Sequence, residues 1–418
     1  MKPIFIYIPN ITNRHRYVCA ILSDYVGVPF ECTSDNENIS IYYTDNILEG
    51  SFTIYDYGLL IDKGLKEYQL SELRQWKDTS ISFLAPEGYS LPFDIFSAMF
   101  YYLSHYDAYL PHVVDIHGRI QKEDTIAFKH HNHKIPVVEY WIHYFIETLN
   151  LHFLWDIRIS HQYSVLPTMD IDHYSLVTHR GFLGNIKGKL FARNYPIDCL
   201  QSKGWISGND PYDIFKYLTQ SIPNLQYFVL LNHGKKDSVN RIKKEYIKTL
   251  FSSAGTMINN IGIHYSYYAL DQNLYEAETS CFYSIFNHEA QYSRAHFLKY
   301  SLPNYFRQLI DLGISKDFSL GYYDTTGFIT GMSRSYIWYD VLEENMTKLL
   351  LQPFSMMDAT FLYYGVHNLK DINEDISTIK RNICKVNGVY SMILHNDIIT
   401  SIKEGELLGE TLFLNIFS

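Results

Sequence analysis

Leu166-Pro167-Thr168-Met169-Asp170-Ile171-Asp172-His173 is a short apolar run that ends on two carboxylates two positions apart. In a strand, residues i and i+2 point to the same side, so Asp170 and Asp172 share a face with Thr168. Like charges that close repel, and one pKa rises unless a cation stands between them. A divalent metal, or a base beside a metal ligand, is a chemical reason to build such a pair. The alternative reading is a strand that ends in an Asx-rich turn capping the next element.

Outward from this stretch the pattern turns regular. Strand-like runs recur at Val165–Asp170, Gln226–Leu231, Met257–His264, Tyr292–His296, Asp317–Gly321, Leu349–Phe354 and Tyr390–His395. Helical spacings lie between them at Arg241–Ser253, Leu274–Phe286, Asn304–Leu312 and Glu374–Val386, with Gly255 and Gly313 where C-caps belong. Strands alternating with helices predict a parallel α/β sheet, as readily a barrel as an open sheet. Asp170 and Asp172, His264, Arg294 and His296, and His395 fall at strand C-terminal ends, which form one mouth in a parallel barrel. One histidine at a strand end is usually structural; four strand ends carrying acids, histidines or arginine point to a shared site.

Residues before this region behave differently. Ile4–Ile8, Ile39–Tyr43 and Phe52–Tyr57 read as strands, Arg14–Val26 as a helix, and the apolar face Phe93, Phe96, Met99, Phe100, Leu103 as another. Pro136 opens a helix over Val137–Leu151, the boundary element between residues 1–155, a smaller α/β or α+β domain, and residues 156–418. The run Lys129-His130-His131-Asn132-His133 invites a metal reading but lacks ligand spacing and reads as a loop.

The chain has 418 residues and a formal charge of −10, so no broad basic surface for nucleic acid is indicated. No stretch approaches the roughly 18–20 apolar residues of a membrane span, and the N-terminus is too interrupted for a signal peptide. Five scattered cysteines without a Cys-x-x-Cys pair suggest a reduced, cytoplasmic protein. The 37 tyrosines would suit a carbohydrate site, although Tyr is also a common core residue.

Five segments of the C-terminal part resemble the polysaccharide deacetylases, the chitooligosaccharide deacetylase-like carbohydrate esterases. They are Pro167–His173, Ile261–Ser266, Ser293–His296, Lys316–Tyr322 and Met392–Asn396. Asn13–Tyr17, Asp115-Ile116-His117-Gly118-Arg119 and Pro136 followed by Trp141 resemble a bacterial branch with an extra N-terminal domain of unknown function. The resemblance implies a deformed (β/α)7 barrel of the glycoside hydrolase/deacetylase type, and a metal-dependent hydrolase removing N- or O-acetyl groups from a carbohydrate. It implies Asp170 as catalytic base, Asp172 and His264 as metal ligands, and His395 as general acid. Better-known members carry a second histidine four residues after the first, where this chain has Tyr268. His296 is then the candidate third ligand, with His173 as fallback. Arg294 would orient Asp170, and Tyr265, Asp324 and Asp358 are candidate substrate-binding residues. Zinc suits imidazole plus carboxylate, as do other first-row metals. Tyr268 also motivates the alternative of an inactive barrel that binds glycan or scaffolds polysaccharide assembly. A third reading, a glycoside hydrolase using Asp170 with Asp358, leaves His264 and His296 unexplained.

Overall fold

Four short parallel strands come first: β1 (Ile4–Tyr7), β2 (Phe30–Thr33), β3 (Ile41–Thr44) and β4 (Phe52–Tyr55), ordered β2-β1-β3-β4. The computed structural model describes residues 2–177, 182–231, 243–255, 260–269, 273–365 and 368–417. The helix Asn13–Val26 crosses from β1 to β2. It starts because Thr12 and His15 form a capping box, and ends at Gly27, whose φ of 74° is adopted most readily by a residue without Cβ. β2 was not foreseen, because Phe-Glu-Cys-Thr is only four residues long and buries one side chain fully, too short for its alternation to stand out. A small hairpin of β5 (Arg74–Trp76) and β6 (Thr79–Ile81) and the helices Ile95–Leu103 and Val137–Phe153 complete this part.

The second sheet has nine strands. They are β7 (Ser164–Ile171), β8 (Gln226–Leu230), β9 (Ile261–Tyr265), β10 (Tyr292–Ala295), β11 (Lys316–Asp317), β12 (Tyr336–Asp340), β13 (Asn345–Leu351), β14 (Met356–Met357) and β15 (Val389–His395). Their order is β12-β13-β11-β10-β9-β8-β7-β15-β14, and every pair is parallel except β12 with β13. Pro167 is tolerated inside β7 because β8 joins only from Thr168 onward, so the missing N–H falls before the second neighbour arrives. Residues 241–242 and 257–259, the starts of two expected elements, lie outside the described residues.

The ladder gives the expected parallel-rich α/β sheet but corrects the expected deformed (β/α)7 barrel. Residues 345–357 run first beside β11 and then beside β15, but the ladder breaks at Gln352–Ser355, where Pro353 has no N–H to give. Within the break single backbone bonds, Phe354 N–H to Leu320 O and Ser355 N–H to Ser391 O, reach the two sides, and the sheet is not a closed barrel. β12 was also unforeseen: it belongs to an antiparallel hairpin, not to a strand–helix repeat.

That hairpin packs on the helix Asn13–Val26. Arg14, fully buried, is held by Glu344 on the hairpin turn and by the carbonyls of Leu59 and Gly64, and the Tyr17 hydroxyl donates to Ile337 O at 2.9 Å. Buried Glu139 likewise accepts from the backbone N–H groups of Ser333 and Arg334. One contiguous hydrophobic cluster runs through both sheets. Removing Glu344 leaves the Arg14 guanidinium buried without its counter-ion. Glu344→Ala should cost about 3 kcal/mol, read from the urea midpoint. Lys66→Ala, which breaks the exposed pair with Asp62, should cost at most about 0.5 kcal/mol. Equal midpoints for the two variants would contradict this role for Arg14.

Candidate metal centre

Period-two alternation carries Thr168 and Asp170 to one face of β7, and Asp172 follows one residue past its end. β9 and β10 run in register with Arg294 opposite His264, so His264 and His296 arrive on the same side from neighbouring strands. Gly262 makes room for this packing: a Cβ there would come within 2.8 Å of both the Phe228 ring and the Tyr292 carbonyl. The Phe228 ring then lies under the Arg294 guanidinium at 4.3 Å. On the other flank β15 sets His395 opposite Asp170.

The side chains converge. His264 Nε2 is 3.4 Å from Asp172 Oδ1, and His296 Nε2 is 3.4 Å from Asp172 Oδ2. The ligand atoms of the three residues all lie within 4.8 Å of one another. His264 Nδ1 faces the Arg294 carbonyl at 3.0 Å, so that nitrogen donates and Nε2 presents its lone pair to the cluster. Asp172 Oδ1 is buried without a hydrogen-bond partner. Burial would push the Asp172 carboxyl up, but His296 and His264 hold it well below the usual range.

The spacing fits a metal better than it fits hydrogen bonds. At 3.4 Å the Nε2–Oδ pairs are longer than good N–H···O bonds. A tetrahedral ion with bonds of ~2.1 Å has ligand–ligand edges of ~3.4 Å. Two imidazoles, one carboxylate and an orphaned buried oxygen are a donor set suited to a divalent first-row ion.

Asp170 stands beside this cluster with a different partner. Its Oδ1 accepts from Arg294 Nη1, whose guanidinium also donates to Thr168 Oγ1 at 2.8 Å and to the Phe318 carbonyl at 3.1 Å. Asp170 Oδ2 faces the cavity side, 3.6 Å from His264 Nε2 and 4.0 Å from His395 Nε2. His395 Nδ1 donates to Asp358 Oδ1 at 2.6 Å, and Asp358 Oδ2 accepts from the His395 backbone N–H. Burial opposes a charged imidazolium, but Asp358, with Asp172 and Asp170 behind it, lifts the His395 pKa to about 10. Burial raises Asp358 too, against the pull of His395. The arrangement that satisfies both is an ionised Asp358 under a protonated ring. A cavity of about 220 Å³ opens on these groups, walled by Phe297, Tyr363, Tyr364 and Arg119.

Several expected site residues lie elsewhere. Tyr265 alternates to the opposite face from His264, with its hydroxyl on Thr279 at 2.8 Å and its ring on Tyr275. Asp324 is paired with Lys122 at 2.8 Å and is not among the cavity's lining residues. Asp358 is fully buried behind His395, so it supports that ring instead of touching substrate, and a paired-carboxylate glycosidase with Asp170 loses its second acid. Tyr268 packs on Tyr267 and is not among the lining residues, whereas His296 stands beside Asp172 with His264. His173 lines the cavity but leans towards Asp397 at 3.9 Å. The 130–133 run does not converge: His130 Nε2 donates to Leu70 O, and the His133 ring lies on Phe128. Arg119, Tyr363 and Tyr364 were not singled out as site residues; only Arg119 had a signal, in the segment Asp115–Arg119.

Residues 4–154 match the model of a family of unknown function (DUF7033), a match that ends before β7. No curated protein matches the chain. Among solved structures, the crystal structure of a presumed polysaccharide deacetylase from Mycobacterium smegmatis is similar at 13% identity. It covers 61% of this chain and 83% of that one with a TM-score of 0.38, a likeness too slight to inform the chemistry. Among the described residues no helix is long and apolar enough to cross a membrane.

The geometry separates the third ligand from the residue at the expected position. His296→Ala should weaken Zn²⁺ or Co²⁺ binding by roughly 10²-fold or more, measured by calorimetric titration. Tyr268→Ala should change it by less than about threefold, a loop substitution away from the donors. The reverse ranking would remove His296 from the site.

Proposed function

We propose that this chain is a metal-dependent hydrolase that removes an N- or O-linked acyl group, such as acetyl, from a carbohydrate. The observation that carries the reading is the Asp172–His264–His296 cluster, in which each imidazole Nε2 lies 3.4 Å from a different Asp172 oxygen and one ligand atom of each residue lies within 4.8 Å of the others. Bound there, a divalent ion supplies Lewis acidity that polarises a carbonyl and acidifies a water. The ligand set is asymmetric: three protein donors leave one position open, as a catalytic site requires.

The chain's own groups divide the remaining work. Asp170 is the general base. Its Oδ1 is anchored by Arg294, which leaves Oδ2 aimed at the cavity to accept a proton from water. His395 is the general acid. Its Nδ1–H is committed to Asp358, so the proton it delivers to the leaving amine or alcohol is the one on Nε2, the atom facing Asp170 and Asp172. Phe297, Tyr363 and Tyr364 provide faces on which a sugar ring stacks while phenol hydroxyls meet its own. The carbohydrate class is supported by that aromatic wall and by the five motif segments resembling polysaccharide deacetylases.

The runner-up, an inactive sheet that binds glycan, rests on Tyr268. Turnover separates the two. Asp170→Asn should retain metal and lower kcat on N-acetylated sugars by about 10²–10⁴-fold, while Asp172→Ala should lose both metal and activity. Sugar binding without turnover by the metal-loaded wild type would favour the runner-up.

The acid has its own signature. With Asp358→Asn the imidazolium loses its nearest negative charge, so its pKa falls. The alkaline limb of the kcat/KM profile should move to lower pH by about 1–3 units. An unmoved limb would take His395 out of the acid role.

A further inference from the structure

The turn Asp115–Arg119, far from the metal strands in sequence, reaches across to their C-terminal loops. Val114 and Ile120 pair as an isolated antiparallel bridge, and Gly118 turns the chain at φ 81°. Asp115 accepts from the backbone N–H groups of His117 and Arg119 and from the Arg119 guanidinium through both Nε and Nη2. The turn is therefore stiff before it touches anything else.

From this base two side chains grip four segments around the mouth. Arg119, 6% exposed, donates from Nη1 to the Phe297 carbonyl at 2.9 Å and from Nη2 to the Tyr364 hydroxyl at 3.2 Å. Its guanidinium lies 3.6 Å over the Tyr323 ring. His117 contacts the Tyr267 hydroxyl at 3.0 Å and lays its ring on Phe297 at 5.1 Å. Tyr267 follows β9, Phe297 follows β10, Tyr323 follows β11, and Tyr364 follows β14.

Phe297 is the telling contact. It and Leu298 have φ of 60° and 54°, two successive left-handed residues with bulky side chains, immediately after His296. Such residues persist only where their surroundings over-determine them. Around Phe297 stand Arg119 on its carbonyl and, against its ring, His117, Tyr267 and His296 itself. We propose that the Asp115–Arg119 turn positions the metal centre: Arg119 holds the left-handed turn at Phe297–Leu298, and that turn holds the His296 imidazole at its vertex. Arg119 is a positioning residue, and the inference rests on the metal reading of Asp172, His264 and His296. It gives the N-terminal region, whose family match carries no function, a part in assembling the site.

Lysine cannot replace this arginine, because a single ammonium cannot satisfy Asp115, the Phe297 carbonyl and Tyr364 from one planar fork. The test uses the full chain loaded with Co²⁺, read by titration and by the hyperfine-shifted imidazole N–H signals of the complex. Wild type should show two such signals, with the His296 signal identified by its loss in His296→Ala. Arg119→Ala and Arg119→Lys should weaken Co²⁺ binding by about 10–100-fold and shift or broaden the His296 signal while leaving that of His264. His117→Ala should act in the same direction to a smaller extent, and it carries the test if the arginine variants do not fold. Arg158→Ala, which removes an exposed arginine paired only with Asp156, is the control and should change neither reading. Arg119→Ala binding within about twofold of wild type overturns the inference, as does weaker binding with both signals intact. A wild type that takes up no Co²⁺ fails differently: it removes the metal reading itself.

Discussion

Two carboxylates on one face of one strand cannot both remain ionised in a buried site unless each has its own cation. The rest of the site follows from that constraint. Asp170 has Arg294, locked in place by Thr168 Oγ1 and the Phe318 carbonyl and backed by the Phe228 ring. Asp172 has no such residue. It has two imidazoles at a distance too long for strong hydrogen bonds and one oxygen with no hydrogen-bond partner. On the function proposed here, the permanent cation and the ion-sized gap divide the labour: the acid bonded to arginine would keep one oxygen for protons, and the acid facing the gap would be a ligand.

The same logic extends outward through supporting bonds. His264 is fixed by a backbone carbonyl of the neighbouring strand, and His395 by a buried aspartate. His296 lacks a strand to hold it, since β10 ends one residue earlier and the chain turns through two left-handed residues. On the inference above, Arg119 of the N-terminal region adds to its restraint through the Phe297 carbonyl. The N-terminal region therefore meets the rest of the chain in two ways: through buried polar contacts such as Arg14–Glu344 and Glu139–Ser333, which stabilise, and at Arg119–Phe297, beside the mouth.

Much of this was legible in the residues. Runs such as Gln226–Leu230 and Val389–His395 are buried on both faces, one of them where side chains of the sheet meet each other, as Phe228 meets Phe318 and Arg294 meets Asp170, and their C-terminal polar residues stood out against that background. Asp172, His264, His296, Asp170, Arg294 and His395 could be gathered on this pattern. What was hidden depends on contacts without local periodicity. The β12–β13 hairpin starts its second strand on the exposed or half-exposed Asn345, Met346, Thr347 and Lys348 and pairs antiparallel, so it lacks the apolar run and the following helix of the repeated units. The break at Pro353 turns on one missing N–H. Asp358 reads as a free acid in sequence, since its commitment to His395 comes from a strand more than thirty residues away. Tyr265 was misplaced because its neighbour His264 is at the site, whereas adjacent strand residues face opposite ways.

The central claim is the identity of the three atoms that hold the ion. Anomalous diffraction from crystals grown with zinc, collected on both sides of the zinc absorption edge, tests it most directly. The account predicts one buried peak about 2.0–2.2 Å from a carboxylate oxygen of Asp172, His264 Nε2 and His296 Nε2, with a fourth position open towards Asp170 and His395. A peak bound instead by His173 and Asp397, or no peak in that cavity at saturating zinc, would contradict it.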